Sequence, residues 1–98
     1  MNGIEYKATG SRFINQQDKY HIYIPIESRC LIDFNNAVVV MTDDGFKMRE
    51  STILDNKTYS VTKTPTQLFI NILSKHMDLS GDFEMEVIGD WIYFIKDI

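Results

Sequence analysis

Cys30, His21 and His76 are the side chains of this sequence best suited to act as nucleophile, general base or metal ligand. A nucleophilic centre needs a base beside the attacking atom and a third group that orients the base. No GxSxG, HExxH or glycine-rich phosphate loop occurs, and a single cysteine admits no CxxC pair. Zinc takes three or four imidazole or thiolate ligands, and the three residues are scattered with no ligand-type spacing. Asp43 and Asp44 form a carboxylate pair, but they precede Gly45 as turn formers do, and the spacing of a calcium loop does not follow them. The sequence therefore predicts no catalytic residue, no metal and no cofactor. His76 is expected as a structural imidazole and Cys30 as a small inward-facing hydrophobe. His21 with Tyr23 is expected to face outward as contact residues.

Binding chemistry is better represented. The C-terminal residues alternate about Gly89–Asp90, a hairpin signature in which Gly supplies a positive φ at the first loop position. Setting Ile88 opposite Trp91 puts Phe83, Met85, Val87, Ile92 and Phe94 on one, core-like face. The opposite face carries Glu84, Glu86, Ile88, Trp91, Tyr93 and Ile95. Tyr and Trp bring large contact area with one polar handle, and carboxylates beside them attract Lys and Arg. The candidate partner-binding residues are Glu84, Glu86, Asp90, Trp91 and Tyr93.

Charge supports that choice. The net charge is −4, and residues 78–98 hold six acidic residues against Lys96 alone, a net of −5. The remainder is close to neutral. An acidic C-terminal fifth does not suit a phosphate backbone, which calls for clustered Lys and Arg, so no direct nucleic-acid partner is expected. A basic protein surface fits instead. No apolar run approaches a membrane span, and the N-terminus lacks the pattern of a signal peptide. With one cysteine, a cytoplasmic protein without a membrane partner is expected.

The elements that must position these residues read as one domain. Ile4–Thr9 alternates as a half-buried strand and breaks at Gly10–Ser11, with a polar loop at Asn15–Asp18. Lys19–Ile26 is the next strand, with Pro25 at its edge or finish. Arg29–Phe34 and Ala37–Thr42 read as a hairpin about Asn35–Asn36, apolar on both faces and so covered on both sides. Asp43–Gly45 suggests a three-residue loop with Gly45 left-handed, followed by Phe46–Glu50. Ser51–Leu54 continues outward, Asp55–Lys57 turns, and Thr58–Thr62 follows with Tyr59 and Val61 inward. Thr64, Pro65 and Gln67 resemble a helix capping box. They predict an amphipathic helix over about 65–78, with Leu68, Phe69, Ile72, Leu73 and His76 on its apolar side.

The predicted fold is α+β: an antiparallel β-meander or small barrel of about seven or eight short strands, one amphipathic helix (about 65–78) and a C-terminal β-hairpin (83–97). The predicted function is a small non-enzymatic protein-binding module. It is comparable, at the level of class only, to inhibitors and immunity-type proteins that dock an acidic face on a basic one. The alternative is a structural subunit of a homo-oligomeric assembly. A small enzyme or ligand-binding barrel using His21, His76 or Cys30 is the least supported reading.

Overall fold

The computed structural model describes residues 6–52 and 57–97. Eight antiparallel strands close into a barrel: β1 (Lys7–Phe13), β2 (Gln16–Tyr23), β3 (Asn36–Thr42), β4 (Gly45–Glu50), β5 (Tyr59–Lys63), β6 (Leu68–Leu73), β7 (Gly81–Ile88) and β8 (Trp91–Lys96). Around the wall the order is β1-β2-β6-β5-β3-β4-β8-β7. Consecutive strands therefore form four hairpins, and the third is inserted between the first and the second. We call the end where β3 and β8 begin the upper rim, and the end where β3 and β6 finish the lower rim.

Alternation builds the interior. Ala8, Tyr20, Ile22, Ala37, Phe46, Met48, Val61, Leu68, Ile70, Ile72, Phe83, Ile92 and Phe94 point inward and are buried. On three adjacent strands the rings of Phe46 and Phe94 stack at 4.5 Å, and Phe83 meets Phe46 edge-on at 5.6 Å. Ala8 pairs across strands with Phe83 and Ala37 with Tyr59, a small residue beside a large ring in each case. The upper rim is plugged by Ile24, Ile32 and Phe34 from the β2–β3 connection, and the lower rim by Leu79.

The helix expected over 65–78 is absent, and with it the α+β class: the fold is a small all-β barrel whose one helix among the described residues is a short 3-10 helix, Ile26–Leu31. Leu68–Leu73 satisfies period 2 as well as period 3.6, and only tertiary closure decides between them. Leu68, Ile70 and Ile72 take the interior, Leu73 is exposed, and His76 lies exposed beyond the strand. The Thr64 hydroxyl does cap, but it caps a turn. It accepts from the N–H of Gln67 at 2.8 Å and of Thr66 at 3.3 Å. The Thr64 N–H donates back to the Gln67 carbonyl at 2.8 Å, so Lys63 pairs with Leu68. A side chain that can satisfy backbone N–H groups two and three residues on serves either structure.

Several boundaries also differ. β1 runs through Gly10–Ser11 to Phe13, and β2 starts inside the expected 15–18 loop and ends at Tyr23, before Pro25. Arg29–Phe34 is not a strand. Pro25 initiates the 3-10 helix there, Ile32 and Phe34 are buried, and Cys30 is exposed rather than inward. The outer face of β3 is not covered, since Val40 remains 41% exposed. Gly45 opens β4 opposite Thr42, shortening the loop to Asp43–Asp44. The expectations for Ile4, Glu5, Ile53–Leu54, Asp55–Asn56 and Ile98 fall outside the described residues.

Gly10 marks a close approach. A Cβ there would lie 1.8 Å from the carbonyl oxygen of Leu79, so a side chain would push out the lower plug. Gly10→Ala should lower the unfolding free energy by at least about 1–3 kcal/mol, the usual cost of overpacking. Gly89, at φ +62° in open space, should lose only the left-handed preference on mutation to Ala, about 1–2 kcal/mol. Urea denaturation of both variants checks the order, and an unchanged midpoint for Gly10→Ala would contradict the described packing.

Candidate functional site

The terminal hairpin has the register read from the sequence: Ile88 pairs with Trp91, Glu86 with Tyr93 and Glu84 with Ile95. Phe83, Ile92 and Phe94 face the core, while Glu84 and Glu86 are exposed outside. Trp91 and Tyr93 are half-buried, beneath cations of the neighbouring strand β4. The Lys47 ammonium sits 4.5 Å from the Trp91 ring centre and 5.4 Å from that of Tyr93. The Arg49 guanidinium carbon lies 5.2 Å from the Trp91 ring. Such contacts contribute roughly 0.5–1 kcal/mol each at exposed sites. They make this wall mixed in charge around the rings, with the carboxylates displaced toward β7 and the loop.

The tip differs from its expected role. β7 keeps its contact with the first strand as far as Met85, whose N–H donates to the Tyr6 carbonyl at 3.0 Å. From there to Ile88 it pairs only with β8 among the described residues. Val87, inward by alternation, is 51% exposed, and so is Ile88 on the other face. Glu86 and Asp90, both exposed, flank them. Val87 shares the face of its partner Ile92 but does not join the core expected for that face. The sequence carries no signal for where the barrel wall stops beneath it.

On the far wall, His21 does face outward. Its ring lies 4.3 Å from those of both Tyr23 and Phe69, and 6.1 Å from that of Phe13. The Lys19 ammonium covers Phe13 at 4.9 Å. His21 pairs across β2 and β6 with Asn71. Nε2 of His21 and Oδ1 of Asn71 are both buried without a hydrogen-bond partner. Enclosed between rings, this imidazole is packed as a cross-strand side chain. It has none of the nucleophile-and-orienter geometry that general base catalysis requires. Cys30 and His76, both exposed, lie on the β2–β3 and β6–β7 connections and join His21 in no cluster. No group of three or more potential metal ligands exists among the described residues.

A concavity that sequence reasoning missed opens at the lower rim. β5 fills only the upper half of the space between β3 and β6. Its first two residues pair with Asn36 and Ala37, and its last three pair with Leu68–Ile70. Below it a groove of about 510 Å³ opens. Met41, Tyr59, Leu73 and Met77 supply apolar lining, Lys57, Lys75 and His76 supply the charge-bearing groups, and no carboxylate lines it among the described residues. Met41 and Leu73 are 40% and 58% exposed. One wall of the groove is the segment between β6 and β7. The Ser74 hydroxyl donates to the Met77 carbonyl at 2.8 Å, and Asp78 holds the next turn.

Asp78 Oδ1 accepts from the Ser80 hydroxyl at 2.6 Å and the Ser80 N–H at 2.9 Å. The Ser80 hydrogen bonds, more than nearby Lys96 and Arg12, hold the Asp78 carboxyl below its ordinary range. A depressed carboxyl stabilises the fold above its unfolded pKa of about 3.9, and that contribution disappears as pH falls through the folded value. Ser80→Ala should raise the Asp78 pKa in an NMR titration and flatten the acid limb of the stability curve; no shift would remove Ser80 as the main cause.

Asn71→Val replaces an orphaned acceptor by a β-branched side chain on a strand. It should be neutral or stabilising, by up to about 1–3 kcal/mol, because no hydrogen bond is lost. Thermal unfolding measures this, and a clear destabilisation would mean that Asn71 has a polar partner.

Among the described residues no helix is long and apolar enough to cross a membrane. Compared with known proteins, the chain matches no family model, no curated protein and no solved structure.

Proposed function

We propose that the protein is a small non-enzymatic binding module whose C-terminal hairpin docks on a basic surface of another protein. Glu84, Glu86 and Asp90 supply attraction, and Trp91 and Tyr93 supply a braced aromatic base. Val87 and Ile88 supply the apolar contact. The observation that carries this reading is the tip: two aliphatic side chains half-exposed on opposite faces, with Glu86 and Asp90 beside them. Apolar groups ringed by like charge suit a partner that offers a greasy recess with cations around it. An inhibitor or immunity-type protein would act in this way. The exposed free thiol of Cys30 suits a reducing compartment, and we place the protein in the cytoplasm.

Reversal of both Glu84 and Glu86 to Lys tests the reading. Both are exposed, so stability should change by less than about 0.5 kcal/mol. Association with the partner captured by the wild-type protein should fall about tenfold or more at low salt, and the deficit should shrink as salt screens it. Trp91, the only tryptophan, reports engagement of this face by its emission. Undiminished capture by the double variant, with unaltered emission on binding, would sink the proposal.

A further inference from the structure

We infer that the basic surface met by the hairpin tip is the lower-rim groove of a second copy of this chain, so that copies associate head to tail. This rests on the proposed docking role of the hairpin and names its partner. The two surfaces match in chemistry. The tip offers Val87 and Ile88 between Glu86 and Asp90. The groove offers Met41, Leu73 and Met77 beside Lys57, Lys75 and His76, with no carboxylate in its lining among the described residues. Methionines adapt to an incoming aliphatic side chain because their unbranched thioethers repack easily. Glu86 and Asp90 at the tip are the charge counterpart of Lys57 and Lys75 in the groove.

The topology decides that the contact is between copies. β7 ends and β8 begins at the upper rim, while β3 and β6 end at the lower rim. The tip and the groove of one molecule therefore lie at opposite ends of one closed barrel and cannot meet. A contact between unlike patches is heterologous: it propagates into a ring if the rotation closes and into a filament if it does not. A hairpin tip in a groove is a small interface, and its association should be weak and salt-sensitive.

Sedimentation velocity on the intact protein at low salt, over rising concentration, tests this with two variants. Val87→Ser with Ile88→Ser spoils the tip, and Lys57→Glu with Lys75→Glu spoils the groove; the lysines and the two aliphatics are exposed or half-exposed, so both variants should fold, as circular dichroism would verify. Wild type should form species larger than a dimer that dissociate in salt. Each variant alone should be monomeric. An equimolar mixture of the two should give a heterodimer and nothing larger, because it contains one intact tip and one intact groove. A wild type that stays monomeric up to about 1 mM overturns the inference, and so does self-association that the groove variant retains. If capture of a different protein still depends on Glu84 and Glu86, the docking role of the hairpin stands while its assignment to a second copy falls. If neither capture nor self-association depends on the hairpin, both fall.

Discussion

The barrel depends on one five-residue strand that serves two neighbours. β5 gives its first two residues to β3 and its last three to β6, and without it the wall would end in two bare strand edges. An open edge exposes a row of unpaired backbone groups that invites foreign strands. Closure therefore places β6 beside β5, and Leu68–Leu73 becomes a strand although its spacing also suits a helix. The 64–67 turn completes the arrangement by using the Thr64 hydroxyl to satisfy backbone N–H groups. Glycine at position 10 then lets the Leu79 carbonyl seal the lower end.

Legibility in the sequence followed the range of the interactions involved. The terminal hairpin could be read residue by residue, because a Gly-Asp loop and strict alternation are local signals. Phe46–Glu50 and the inward Tyr59 and Val61 were likewise readable. Residues 64–78 were not, since the capping chemistry of Thr64 and the apolar run after it are common to helix and hairpin. Cys30 was misplaced because Pro25 starts a 3-10 turn in a stretch whose alternation resembled a strand. The candidate site divides in the same way. The outward placement of Glu84, Glu86, Trp91 and Tyr93 was legible, whereas the cations of β4 above the rings depend on a strand about forty residues earlier in the chain. The groove depends on where β5 stops, which no local pattern encodes.

These placements shift attention from the middle of the wall to its two ends. Lys47 and Arg49 occupy the ring faces of Trp91 and Tyr93, which stiffens that wall and takes up part of the aromatic surface. Half-exposed aliphatic groups occur where the barrel wall falls short: at Val87 and Ile88 above, and at Met41 and Leu73 below. Glu86 and Asp90 stand beside the upper pair, and Lys57 and Lys75 line the groove with the lower pair. Unlike ends on a single cylinder make the molecule polar in the geometric sense, a property that symmetric packing of its walls would not supply.

The divided strand also has a mechanical consequence. Hairpins are knit by neighbours in sequence, whereas the suture between β3 and β5 joins strands that are not consecutive, and it is only two rungs long. A cylinder sewn in this way should part at its shortest stitch before any hairpin unravels, opening like a book along β3 while the other seven junctions stay shut. Backbone amides bordering that stitch would then be the first to trade protons with water, long before the phenylalanine stack of β4 and β8 loosens.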